Sequence, residues 1–254
     1  MAVEVCSYRL THKGKPVGNH EIKVQRGGRV TLLESKALFQ GGLGTVTVVQ
    51  RSRCGSEAPV SLRFREETSE RSGQRTFEVA FDADQGVVTA SRGRDEATAP
   101  YLLPYRDPLS LLLELRGLAG RPELGAGDRG EGLAEHGRDA AAEHVVVPML
   151  GKDVTVQAAG EVRLDTALGT RTARAYLLHP GGSAVYVDRE PPHLLLKMTQ
   201  RLSDGYVDAL LVKVAEEGEL EDWGVPGGGP KRQGSSKRRR SRRRRPRRGK
   251  RKTG

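Results

Sequence analysis

Apolar and polar residues alternate along most of the chain, and glycine, proline or aspartate interrupts the alternation at short intervals. Successive side chains of a strand point to opposite faces, so a two-residue period predicts strands with one buried and one wet face. Val3 and Val5 open the first. His12-Lys13-Gly14-Lys15-Pro16 then turns the chain into a second strand at 17–25, and Arg26-Gly27-Gly28 into a third at 29–39. Further strands are predicted at 45–49, 60–64, 75–81 and 87–91, with 82–86 a hairpin loop whose Asp, Gln and Gly suit turn conformations. Gly41-Gly42-Leu43-Gly44-Thr45 has the composition of a phosphate-cradling loop but lacks the Gly-Lys-Ser/Thr ending and leads into a strand. It reads as a turn.

The period changes once. Asp107 is a good helix N-cap and Pro108 suits the first helical position, where its missing N–H costs nothing. Leu109, Leu111, Leu112, Leu113 and Leu115 crowd nearly every side of the helix that follows, and Gly117 can end it. A helix apolar all round is buried, so it is expected to plug the concave face of a curved sheet, with Leu112 and Leu113 in the interior. Residues 118–143 offer almost nothing to bury and read as a mobile surface insertion. Strand signals resume at 145–147, 154–156, 162–164, 172–178, 184–187, 194–198 and 206–214, with turns at Gly181-Gly182 and Ser203-Asp204-Gly205. Strands at this spacing without intervening helices predict an antiparallel meander. The expected organisation is a mainly β body over 1–215, an acidic then Gly-rich linker over 216–230, and a tail over 231–254.

This pattern resembles the bacterial family known as domain of unknown function 3108. The residues that carry the resemblance are Asp107-Pro108-Leu109-Ser110-Leu111-Leu112 leading to Leu115-Arg116, the Thr166-Ala167-Leu168-Gly169 turn, and Val185-Tyr186-Val187 with Pro192 and Gly205. The resemblance implies a strongly curved antiparallel sheet or roll with one internal helix. Members of the family usually look exported, and the family brings no catalytic residues to transfer.

Charge adds a second feature. The 254 residues hold 43 Lys and Arg against 32 Asp and Glu, a formal net charge of +11. Fifteen of the basic residues and none of the acids lie in 231–254, so residues 1–230 carry −4. No apolar run approaches the ~18 residues of a membrane-spanning helix. Two cysteines, Cys6 and Cys54, are too few for a disulfide scaffold and fit a reducing compartment, although one bridge between them is open to the sequence. The opening MAVEVCSYRL reads as a strand rather than a secretory leader, so a cytoplasmic location is expected, with nucleoid association open to the sequence.

The tail is the sharpest signal. Lys237, Arg238, Arg239, Arg240, Arg242, Arg243, Arg244, Arg245, Arg247, Arg248, Lys250, Arg251 and Lys252 make up 13 of 16 consecutive residues. Such a segment stays extended, and each guanidinium can pair with phosphate oxygens while counterions are released. It has no aromatic residue to stack on bases, so it should not read sequence. The leading expectation is a non-enzymatic nucleic-acid-binding protein, DNA somewhat ahead of RNA. Arg51, Arg53, Arg63, Arg65, Arg71 and Arg75 are a candidate second surface on the body, with Glu66, Glu67 and Glu70 diluting it. The alternative is a carrier of a lipid or other hydrophobic ligand inside the roll, docked on anionic surfaces by the tail; a large cavity beside the helix would favour it.

No other chemistry stands out. His136, Asp139, Glu143 and His144 would share a helix face and could ligate a metal, but in a polar insertion they read as solvated, and no metal or cofactor is expected. His12, His20, His179 and His193 lie beside turns with no readable pairing. Ser110 and Cys54 lack the flanking sequence of a nucleophile. Glu66, Glu67 and Asp188 read as ordinary solvent-face acids of alternating strands.

Overall fold

The computed structural model describes residues 2–121, 144–149 and 151–223. The predicted meander is present as one fourteen-stranded antiparallel sheet. Its first half comprises β1 (Val3–His12), β2 (Lys15–Arg26), β3 (Val30–Phe39), β4 (Val46–Gly55), β5 (Ser61–Glu70), β6 (Gly73–Asp82), β7 (Val87–Arg92) and β8 (Asp95–Pro100). Helix α1 (Pro108–Ala119) follows. The second half comprises β9 (His144–Met149), β10 (Lys152–Thr166), β11 (Gly169–His179), β12 (Ser183–Asp188), β13 (Leu195–Leu202) and β14 (Gly205–Glu217). Each strand pairs with its neighbours in sequence, and pairing of β1 with β14 joins the two halves, leaving β8 and β9 at the edges.

Several boundaries differ from the sequence reading, each for a local reason. The runs at 154–156 and 162–164 belong to one strand, β10, both pairing with β11; the register slips between Ala158 and Glu161, where Gly160 takes a φ of +84°. A left-handed glycine lets a bulge bend the strand without ending it. Strand β8 carries no alternation in sequence because all six of its residues are exposed. Helix α1 passes through Gly117 and buries Ala119, so the segment assigned to the insertion begins later; residues 122–143 lie outside the described part. The body likewise extends past residue 215, through β14 to a compact unit ending at Asp222. Residues 224–254, including the basic tail, lie outside the described residues.

Helix α1 packs against β3 and β4 and also against β12. In a flat sheet β4 and β12 would be six strand spacings apart, roughly 29 Å. A helix about 10–12 Å across reaches both because the sheet curls around it. Leu109, Leu111, Leu115 and Ala119 are buried in the main core with Tyr8, Leu33, Val187, Leu196 and Leu211. Leu112 and Leu113 are only half-buried, contrary to expectation, because α1 does not fill the whole interior.

Both ends of α1 are fixed by charge. Asp107, 3% exposed, accepts from the N–H groups of Leu109 (2.9 Å) and Ser110 (3.0 Å) through Oδ1 and from the hydroxyls of Ser52 (2.7 Å) and Ser61 (2.6 Å) through Oδ2. The N-cap is thus tied to β4 and β5 at once. Burial pushes its carboxyl above the usual range, and these four bonds oppose that shift. At the other end buried Arg116 donates to both oxygens of Glu4 on β1 (2.5 and 3.0 Å) and to the carbonyl of Pro192 (2.9 Å).

Asp107→Ala would strand two hydroxyls and two backbone N–H groups in a dry site, which should cost roughly 3 kcal/mol or more of a total of about 5–15 kcal/mol. Asp107→Asn, which keeps an oxygen for the backbone donors, should cost clearly less. Urea unfolding of the two variants measures the difference; equal, sub-kilocalorie losses would show that the anchor is incidental.

Candidate ligand-binding cavity

Because α1 is held by its ends and closes only part of the curve, the fold leaves a cavity of about 740 Å³ beside it. One wall is inward-facing residues of β1 to β5, among them Leu10, Ala37, Phe39, Val46 and Val48. Pro108, Leu109 and Leu112 of α1 form a second side, and Met149, Val154, Leu178, Val185, Met198 and Val207 of β9 to β14 the opposite wall. Leu43, Pro180 and Leu202 bring the hairpin ends of the sheet to the rim. Aliphatic side chains dominate. This is the chemistry of a hydrophobic-ligand pocket, and the size lies within the ~300–1,000 Å³ typical of such sites.

Polar residues line both walls, Lys152, Ser183, Thr199 and Gln200 on the β9–β14 side and a connected group on the first. Ser35 pairs with Gln50 across β3–β4, and Gln50 with Glu66 across β4–β5, so the three form one row on the inner face. Gln50 Nε2 donates to Glu66 Oε2 at 2.7 Å, and His20 on β2 shares a 2.7 Å hydrogen bond with Ser35. Burial pushes His20 down to about 4, so its ring is neutral near pH 7. The Ser35–His20 contact has the spacing of a nucleophile and base, but among the described residues no carboxylate orients the second ring nitrogen. Glu66 therefore is not the solvent-face acid the alternation suggested: it lies two residues after buried Phe64, on the same face. Asp188 is also corrected, being 3% exposed at the end of β12, where Oδ1 accepts from the N–H of Glu190.

The candidate arginine surface has a different character. Arg51 and Arg65 face each other across β4–β5, as do Arg53 and Arg63, all on the outer face. Like charges so placed repel, and carboxylates lie between them. Arg51 pairs with Glu34 (2.8 Å), Arg65 with Glu67 (2.7 Å), Arg53 with Asp222 (3.3 Å) and Arg63 with Glu78. Arg75 has the opposite strand parity and lies 3.8 Å from Glu70; Arg71 sits exposed in the β5–β6 hairpin. The six do not form one cationic face.

The remaining candidates resolve simply. Cys6 and Cys54 are buried free thiols, pushed by burial up to about 11 and about 12, which makes them poor nucleophiles. His12 is paired after all, to the Tyr206 carbonyl (2.9 Å) and Asp204 (3.3 Å). Residues 41–43 form a single 3₁₀ turn between β3 and β4. His136, Asp139 and Glu143 lie outside the described residues, and His144 opens a strand, so no helix face runs through it. No metal-ligating group of three occurs among the described residues.

Fold and cavity together define an antiparallel β-sheet protein curled around one helix and an apolar interior. The chain belongs to the family of proteins of unknown function DUF3108, whose model matches residues 7–212. Among solved structures it is similar to a β-barrel-like protein of domain of unknown function DUF1849 from Brucella abortus, with 12% identity and a TM-score of 0.49 over 86% of this chain and 99% of that one. No curated protein matches it.

The His20 environment gives a pH dependence. Its value is about 4 in the folded protein against ~6.5 unfolded, so the unfolded chain takes up a proton first as pH falls. Stability from this group is complete above pH ~6.5 and is lost between there and about 4, by at most about 3 kcal/mol. Unfolding curves between these limits should show that loss, and His20→Gln should remove it; an unchanged slope in the variant would place the effect elsewhere.

Proposed function

We propose that this protein is a non-catalytic carrier that holds a hydrophobic or amphipathic ligand in the curl of its sheet, while its basic tail binds polyanions. The observation that carries the first part is the aliphatic cavity beside α1. Protein interiors are ordinarily packed with few voids larger than a water molecule. A half-open space of about 740 Å³ lined mainly by aliphatic side chains departs from that rule, and a ligand that filled it would take apolar surface out of water. The arrangement of the outer face favours this reading over one in which the body grips nucleic acid, since Arg51, Arg53, Arg63 and Arg65 already face carboxylates.

The tail supports a second, separable activity. Its charge density suits phosphate polymers or anionic surfaces, and its lack of aromatics suits binding without base readout. Nucleic acid remains a partner on this ground, through the tail rather than the sheet.

An apolar fluorescent probe should bind the intact protein stoichiometrically, and Ala37→Trp, which places an indole in the cavity, should weaken it about tenfold or more with little change in melting temperature. Unaltered probe binding in that variant would remove the cavity from the function.

Truncation after Pro230 changes the net charge from +11 to −4. Affinity of the full chain for duplex DNA should fall steeply with salt, log K dropping by about 0.9 for each phosphate engaged per decade of salt, and the truncated protein should bind weakly with a shallow slope. Equal affinity and slope for both would move polyanion binding to the body.

A further inference from the structure

Resting on the carrier reading, we propose that the cavity selects an amphiphile with an amino head, taken by Glu66 and Gln50, with its chain against the β10–β14 wall. Ionisable groups in the lining are few: His20, Glu66 and Lys152. His20 brings no charge near pH 7, because its surroundings disfavour the protonated ring. Lys152 is exposed at the start of β10, beside the β9–β10 hairpin, where water and salt screen it. Glu66 is half-buried on the inner face, and among the described residues no cation lies within ion-pair distance of it.

The hydrogen-bond inventory points the same way. A carboxylate can accept about four bonds, and the Gln50 amide supplies one of them, to Oε2. Glu66 Oε1 and the amide oxygen of Gln50 remain as acceptors on one row of the wall. A protonated primary amine offers three donors and no acceptor, the complement of that pair. A carboxylate or phosphate head would meet like charge instead, in surroundings where screening is weak. On the β10–β14 side Val154, Leu178, Val185, Met198 and Val207 offer an alkyl chain apolar positions, and the polar residues there, Ser183, Thr199 and Gln200, are uncharged.

The test is displacement of the apolar probe from the full-length protein by dodecylamine, dodecanol and dodecanoate below their micellar concentrations. Wild type should prefer the amine over the carboxylate by roughly 10- to 100-fold. Glu66→Gln, which is nearly isosteric and keeps a hydrogen-bonding end, should abolish that preference by weakening the amine while probe and dodecanol bind as before. Lys152→Gln should leave the amine unaffected. A preference for dodecanoate that disappears in Lys152→Gln would place the head at the rim and overturn the assignment, as would an amine preference that survives Glu66→Gln. Failure of the wild type to bind the probe at all would instead overturn the carrier reading, and the head site with it.

Discussion

A buried carboxylate at the start of α1 holds two non-adjacent parts of the fold in register. Asp107 caps the helix through its own backbone donors and simultaneously receives the Ser52 and Ser61 hydroxyls, so the helix cannot form in place without β4 and β5 beneath it. Nine residues on, the Arg116 pair with Glu4 ties the same helix to β1, and its bond to the Pro192 carbonyl ties it to the β12–β13 connection. A group buried this deeply is tolerated only when its acceptor sites are occupied. Ser52, Ser61 and Glu4 belong to the first half of the sheet and Pro192 to the second, so α1 keeps all these bonds only where the sheet curls to bring both halves against it. Curvature and helix position are thus one constraint.

That constraint also explains the cavity. A helix pinned at both ends lies where the Asp107 hydrogen bonds and the Arg116 ion pair put it and does not slide to fill the space beside Leu112. The sheet cannot collapse onto that space without breaking an antiparallel ladder that runs through all fourteen strands. What remains is a largely aliphatic chamber with polar residues on both walls, and an outer face of β4 and β5 whose four arginines are matched by carboxylates. Among the described residues Glu66 is the one acid of the chamber lining, while the excess of basic over acidic residues lies in the last 24 residues of the chain.

Much of the fold was legible because it is local. Alternation marks most strands, and Asp107-Pro108 marks the start of α1 for reasons confined to one helical turn. Where the sequence misled, the missing information was non-local. DEATAP alternates nothing because both faces of β8 are wet, and the two apolar patches of β10 are one strand only because β11 spans both. Inward Val, Leu and Met look the same whether they meet other side chains or a cavity, so no pattern announces the chamber. His20, Ser35, Gln50 and Glu66 lie on four strands, and their juxtaposition depends on register. One sign of it was available: Glu66 shares its parity with Phe64, which buries.

Methyl-resolved NMR of the full chain during titration with a long-chain amphiphile reports directly on whether the chamber is filled. Saturable shifts are expected at Leu109, Leu112, Val185 and Met198, which line the chamber, and none at Val79 and Val88, which belong to a separate small core. Shifts confined to the outer face, or none at saturation of the ligand's solubility, would contradict the carrier reading.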